Sequence, residues 1–188
     1  MRISDAPVRT APPSPAAGVD ASAACGAGCK LRLQVVSLPD TKSLMKHERT
    51  IFAPDPAPLS VGILVMAETN ALSLAAAVDP MRAANRRAGE TLFTWRFFAS
   101  EGTAVPTTAG FEVAATPLTD RAEMDVLMIV AGFRLIEQAT PALLACLRRL
   151  APRLGAMVGI DGGSWFLALA GLLDGHAATV HWEDLETF

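Results

Sequence analysis

Two short stretches near the C-terminal end of the chain hold the residue types that chemistry needs. One is Asp161-Gly162-Gly163-Ser164 and the other is His181-Trp182. A carboxylate, a hydroxyl and an imidazole this close in sequence could act as nucleophile, base or ligand contact. Just ahead of the first stretch an apolar run ends at Ile160, and an apolar helix begins near Ser164. The chain must therefore turn sharply at Asp161-Gly162-Gly163, and the two glycines supply the backbone freedom. The N-terminus of the helix that follows offers N–H groups to an anion or polar ligand. A strand, sharp turn and helix in this order is where α/β enzymes present a nucleophile, and the residue at the tip is Asp161. Asp161 has two readings. It caps the helix by accepting N–H bonds from Gly163 or Ser164, or it faces a ligand.

The other reactive types carry less. Ser164 invites a serine-hydrolase reading, but Gly162-Gly163-Ser164-Trp165-Phe166 does not fit G-x-S-x-G. Trp165 and Phe166 read as core. Cys146 lies beside Leu143 and Leu147 on a helical stretch and reads as a small buried hydrophobe. Cys25 and Cys29 are spaced C-x3-C, with His47 as the only other nearby ligand type, so no metal or redox role is expected. His176 follows Gly175 in a turn and belongs at the surface.

The elements that must position these residues follow from hydrophobic pattern. Ser60–Met66, Met124–Gly132 and Ala156–Ile160 are continuous apolar runs rich in β-branched residues, the mark of strands buried on both faces. Thr94–Ser100 alternates and reads as a further strand, with short extended pieces around Gly110–Ala115 and a last strand at Ala178–Trp182. Ala71–Arg87 reads as a helix with Leu74, Val78 and Met81 on one face, and Pro80 should kink it or start a new one. Pro141 opens a helix in which Leu143, Leu147 and Leu150 align. Ser164–Leu173 is apolar all round, hence a buried helix that Gly175 stops. Strands alternating with helices argue for a doubly wound, flavodoxin-like parallel sheet with helices on both faces. In such folds ligands sit beyond the carboxyl ends of the strands. That gathers Ala67–Asn70, Gly132–Arg134 and Asp161–Ser164.

Composition bounds the rest. The 188 residues carry a net charge of -3 and are 51% hydrophobic, with a mean hydropathy of +0.34. The near-neutral balance gives no electrostatic footprint for nucleic acid within this domain. The apolar runs are strand-length or broken by charge, and no secretory h-region follows Met1. Three cysteines argue against a disulfide framework. No cofactor and no membrane association are expected, and the location is expected to be cytoplasmic. Residues 1–58 are rich in Pro, Ala, Gly and Ser and read as a disordered leader. Within it Leu31–Val36 could be a stray strand. Met45 opens MKHERTIFAP, an ordinary protein start, so translation is expected to begin there rather than at Met1. Residues 59–188 form the domain.

One combination of motifs is specific. AGLLDG (Ala170–Gly175) runs into ATVHWED (Ala178–Asp184), after the GGSW turn (Gly162–Trp165) and VDPMRAAN (Val78–Asn85). Together they resemble the ThiJ/PfpI domain, which is class I glutamine amidotransferase-like. More narrowly they resemble the form at the N-terminus of GlxA-type, AraC-family transcriptional regulators. The resemblance covers Ser60–Phe188. In enzymes of the superfamily a cysteine holds the elbow tip and a histidine often follows from the next strand. These positions fall on Asp161 and His181. A carboxylate is a poor substitute for a thiolate in most of that chemistry. The regulators use the pocket to sense small molecules and bind DNA through a C-terminal helix-turn-helix domain, which this sequence does not contain.

The resemblance therefore implies a non-catalytic sensor domain for a small nitrogenous effector such as arginine, carnitine or glycine betaine. Its ligand contacts would be Asp161, Gly162, Gly163, Ser164, His181 and Trp182. DNA would be reached only through a further domain, and a homodimer is expected. A ThiJ/PfpI-type hydrolase, lyase or hydratase is the alternative, and a truncated remnant a third reading. The first two differ in the thiol. Glyoxalase, amidase and isonitrile-hydration assays should show no turnover above buffer. Turnover that disappears in Cys146→Ser would establish the enzyme instead.

Overall fold

The computed structural model describes residues 57–181, residue 184 and the backbone of a strand at Leu33–Ser37. The chain runs β1 (Leu33–Ser37), β2 (Leu59–Val65), α1 (Ala71–Ala88), β3 (Phe93–Ala99), β4 (Ala104–Pro106), β5 (Glu112–Ala114) and β6 (Thr116–Pro117). It continues through β7 (Val126–Ala131), α2 (Leu135–Gln138), α3 (Pro141–Leu150), a 3₁₀ turn (Ala151–Arg153), β8 (Ala156–Asp161) and α4 (Gly163–Leu169). The main sheet has the order β1-β8-β7-β2-β3-β6, and β4 and β5 form a separate hairpin. β3, β2, β7 and β8 pair in parallel. Taken in chain order these four lie second, first, third, fourth, the flavodoxin-like arrangement that the alternation predicts.

The continuous apolar runs work by parity. Val61, Ile63 and Val65 point to one face with Val130, Val158 and Ile160, and α1 covers them with Leu74, Ala77 and Met81. Leu64 and Met66 point to the other face with Leu127, Ile129 and Met157, beneath Leu143, Leu147 and Leu150 of α3 and Phe166 and Leu167 of α4. Each fully buried side chain of this size contributes about 1.5–3 kcal/mol. Both helices are started by side chains. The Asn70 carboxamide oxygen accepts from Leu72 N–H, and the Thr140 hydroxyl caps Leu143.

Four local expectations change. α1 runs through Pro80 as one helix, because the buried face of Leu74, Ala77 and Met81 holds both halves against the sheet. α4 ends at Leu169 rather than Leu173, where Gly171 adopts φ 69° and turns the chain out of the helix. Among the described residues no strand forms at Ala178–His181, since the edge of β8 that a further strand would join is taken by β1. β1 itself is the correction to the leader. Leu33–Ser37 pairs antiparallel with β8, Leu33 opposite Ile160 and Ser37 opposite Ala156, satisfying the open edge of an apolar strand. The rest of residues 1–56 lies outside the described residues, as do Cys25, Cys29 and His47. Among the described residues no helix is long and apolar enough to cross a membrane.

The carboxyl ends of β2 and β7 are joined through Thr69. This residue is fully buried. Its hydroxyl lies 2.6 Å from Met66 O and 2.9 Å from Val130 O, so one hydrogen serves both ends. Its carbonyl accepts from Thr108 N–H at 3.2 Å, which docks the β4–β5 hairpin against the same point. Thr69→Val keeps the shape and removes the hydroxyl donor, while Met66 O keeps the Thr69 N–H at 3.3 Å and Val130 O keeps the Met66 N–H at 3.0 Å. The expected loss is about 0.5–1.5 kcal/mol, read as a lower midpoint in urea, with Thr69→Ser close to wild type.

Candidate functional site

At the end of β8 the backbone turns as the two glycines imply. Asp161 is the last residue of the strand and is held at φ 56°, in the left-handed region. A non-glycine residue there is strained by roughly 1–3 kcal/mol and persists only when its surroundings fix it. Three contacts do so. Gly162 N–H donates to Ala131 O at 3.0 Å. A Cβ on Gly163 would lie 2.0 Å from Ile129 O, and one on Gly159 2.6 Å from Ser164 N. The glycines thus let α4 press against the backbone of β7 and β8.

The carboxylate of Asp161 does not cap α4. The N-cap is Gly162, and among the described residues the Asp161 carboxylate makes no bond to the helix. Instead the Ser73 hydroxyl, on the first turn of α1, donates to Asp161 Oδ2 at 3.0 Å. Ser73 is 4% exposed, and Asp161 is half-buried. Of the two readings of Asp161, the cap is therefore wrong. The carboxylate points across the carboxyl ends of the sheet, toward α1. Ser73 was not legible as a site residue. The available sign was a small polar residue beside Leu74 on the buried side of α1.

The other expected contacts lie as follows. Gly162 and Gly163 are buried at the turn, with the Gly162 amide already engaged by Ala131. Ser164 is 1% exposed, and its hydroxyl meets no partner among the described residues. It faces the interior. His181 is half-buried in coil, its carbonyl accepting from Asp184 N–H at 2.9 Å. Trp182 lies outside the described residues. Cys146 is buried on α3, and that burial pushes its thiol above the usual range, which fits a core residue and not a nucleophile. No group of three or more His, Cys, Asp or Glu among the described residues could hold a metal.

The loops expected to meet at this end of the sheet do meet. Arg134, after β7, bonds Glu137 at 2.5 Å and Glu68, after β2, at 3.2 Å. Glu137 first, then Glu68, raise the guanidinium above its ordinary value. The Gln138 side chain donates to Ala67 O at 3.0 Å, and the Leu135 side chain lies against Gly162. Glu68 and Arg134 share the left-handed conformation of Asp161, at φ 58° and 52°. Leu72, Phe111, Phe133 and Ile136, on the same loops and the adjoining hairpin, are exposed. The assembly is a rim of acidic groups around one arginine, with apolar side chains outside it.

A doubly wound sheet with a left-handed residue between a parallel strand and a buried helix defines a class of α/β domain built around an elbow. No family model matches the chain. It is 38% identical over 129 residues to the HTH-type transcriptional regulator CdhR of Pseudomonas aeruginosa, which covers 66% of this chain and 37% of that protein. It is 36% identical over 126 residues to the regulator GlxA of Rhizobium meliloti, covering 65% and 39%. Among solved structures, an AraC family transcriptional regulator from Pseudomonas putida superposes with a TM-score of 0.58 at 27% identity, over 69% of this chain and 70% of that one. A ThiJ/PfpI family protein from Pseudomonas syringae, at 20% identity and a TM-score of 0.55, covers 76% and 59% and shares the fold. The chain is similar in sequence to part of GlxA-type transcriptional regulators and has the fold of ThiJ/PfpI proteins. It spans little more than a third of the length of the curated regulators it matches.

The close approach at the elbow has a measurable consequence. Gly163→Ala drives a Cβ into the Ile129 carbonyl, and the backbone of β7 cannot yield as a flexible side chain would. A loss of about 1–3 kcal/mol is expected, seen as a lower Tm by calorimetry. Gly175→Ala, in an open turn, should cost no more than its own left-handed backbone demands.

Proposed function

We propose that this chain is the effector-sensing, non-catalytic domain of a transcription regulator, and that it binds a small nitrogenous metabolite at the carboxyl ends of β2, β7 and β8. The observation that carries the reading is the Asp161 carboxylate. It occupies the elbow tip where the superfamily's enzymes place a thiol, and it accepts from the Ser73 hydroxyl on α1 instead of capping the helix behind it. A fixed negative charge there favours a cation and gives no thiolate chemistry. The rim supports the same sign, since Glu68 and Glu137 outnumber the Arg134 they hold. Regulator names among the relatives support a role in transcription.

The ligand class is a zwitterion such as arginine, carnitine or glycine betaine. Its cationic end lies at Asp161. An aromatic face from Trp182 beside His181 would add about 0.5–2 kcal/mol for a quaternary ammonium. The Gly162 amide is engaged by Ala131, so the ligand's carboxylate falls to Arg134, exchanging with Glu68 or Glu137. Gly163 and Ser164 serve by shaping the turn. Effector preference for one conformation of the whole regulator would shift its DNA binding through a further domain, in a homodimer and in the cytoplasm.

Titration calorimetry with the three zwitterions tests this directly. One of them should bind, and Asp161→Ala should weaken it at least tenfold, by about 1.4 kcal/mol or more. Unchanged affinity in Asp161→Ala would remove Asp161 from the site. Tight binding of a small dianion would refute the charge argument.

A further inference from the structure

Ser73 has no part in the family resemblance, yet it is the residue that fixes the direction of the Asp161 side chain. The turn alone leaves that direction open. A residue at φ 56° can send its carboxylate back over α4, where Asp161 would cap the helix, or forward over the ends of the strands. Among the described residues Asp161 does not bond the N-terminus of α4. The hydroxyl of Ser73 takes up Oδ2 at 3.0 Å instead. Ser73 is itself buried. It lies in the first turn of α1, 4% exposed, one residue after the Leu72 amide that Asn70 caps at 2.8 Å. Two residues before the cap, Glu68 is bonded to Arg134, and the residue between them is the buried Thr69. The donor thus sits at the start of a helix whose N-terminus is tied by Asn70, Thr69 and Glu68.

We infer that Ser73 is a positioning residue for the effector site: it holds Asp161 by one carboxylate oxygen and leaves the other for the cationic group of the ligand. This rests on the effector-site reading above and deepens it by naming what sets the site's preference for positive charge. A neutral hydroxyl is suited to the task. A lysine or arginine in its place would neutralise Asp161 and remove the attraction for a cation. Among the described residues no salt bridge involves Asp161, and the nearby guanidinium of Arg134 is held by two glutamates. A hydroxyl orients the carboxylate while its charge stays available.

The test compares glycine betaine with tert-butylacetate, its uncharged-head carbon isostere, on the full chain by calorimetry. Wild type should prefer the betaine. Ser73→Ala should reduce that preference about tenfold, which corresponds to losing one hydrogen bond to a charged group, and Ser73→Thr should restore it. A purely structural role would lower affinity for both ligands alike and leave their ratio unchanged, and that outcome overturns the inference. Arginine against its neutral-head analogue citrulline gives the same ratio should betaine not bind. Loss of charge preference in Asp161→Asn together with full preference in Ser73→Ala would retain the effector site and reject the role of Ser73. No binding of any zwitterion to wild type would reject both.

Discussion

The Thr69 hydroxyl is the interaction on which the rest of the described architecture depends. Parallel strands end with their carbonyls pointing into whatever follows them, and β2 and β7 end side by side. Met66 O and Val130 O both lie within reach of one buried hydrogen. That shared donor keeps the two strand ends together just as their chains diverge, one into α1 and the other into the loop before α2. The backbone of the same residue receives the β4–β5 hairpin. In a dry environment such a network is strong while complete and costly when one member is lost. Three consequences follow from this tie. Asn70 is placed to start α1, Ser73 comes to face β8, and Glu68 is offered to Arg134.

The elbow adds a second constraint of a different kind. Asp161 is held in a conformation that L-residues avoid, by backbone contacts that only glycines allow. In an enzyme such strain aims a nucleophile. Here the strained residue carries a carboxylate bonded to a hydroxyl, which is no nucleophilic pair. The geometry persists with a different chemical group at its tip. Strain of this kind is retained where the position of one side chain matters, and the aim of the carboxylate is what the elbow supplies.

Most of the fold was legible because burial on both faces leaves a simple mark. Ser60–Met66 and Met124–Gly132 contain no polar alternation, and only a doubly covered strand tolerates that. The buried face of α1 was legible from the spacing of Leu74, Val78 and Met81, and the start of α3 from Pro141. β1 was legible as a stray strand at Leu31–Val36 but not as part of the sheet, because its apolar residues stand among proline- and glycine-rich neighbours and its partner β8 is the last strand described. The strand expected at Ala178–Trp182 has the right composition, but Ala178–His181 is coil. At the site, the sharp turn could be read from Gly162 and Gly163, and the meeting of the three loops from the strand ends. The direction of Asp161 could not be read, since its partner Ser73 lies 88 residues earlier and no local pattern links them. Capping was a fair local inference that a tertiary contact overrode.

The antiparallel pairing of β1 with β8 also sets an order of events during folding. β1 precedes every other described strand, and its partner is the last of them. Closing so long a loop carries an entropy cost that no intermediate contact of β1 offsets. The parallel core must therefore assemble first, with the outer edge of β8 open until β1 arrives. On the ribosome β1 emerges earliest and waits longest for its partner. During that interval an uncharged, partly β-branched segment and an open apolar edge coexist, and each could pair with the wrong chain. Crowded refolding should therefore fail first by intermolecular strand pairing at this edge, while the face bearing Asp161 is already formed.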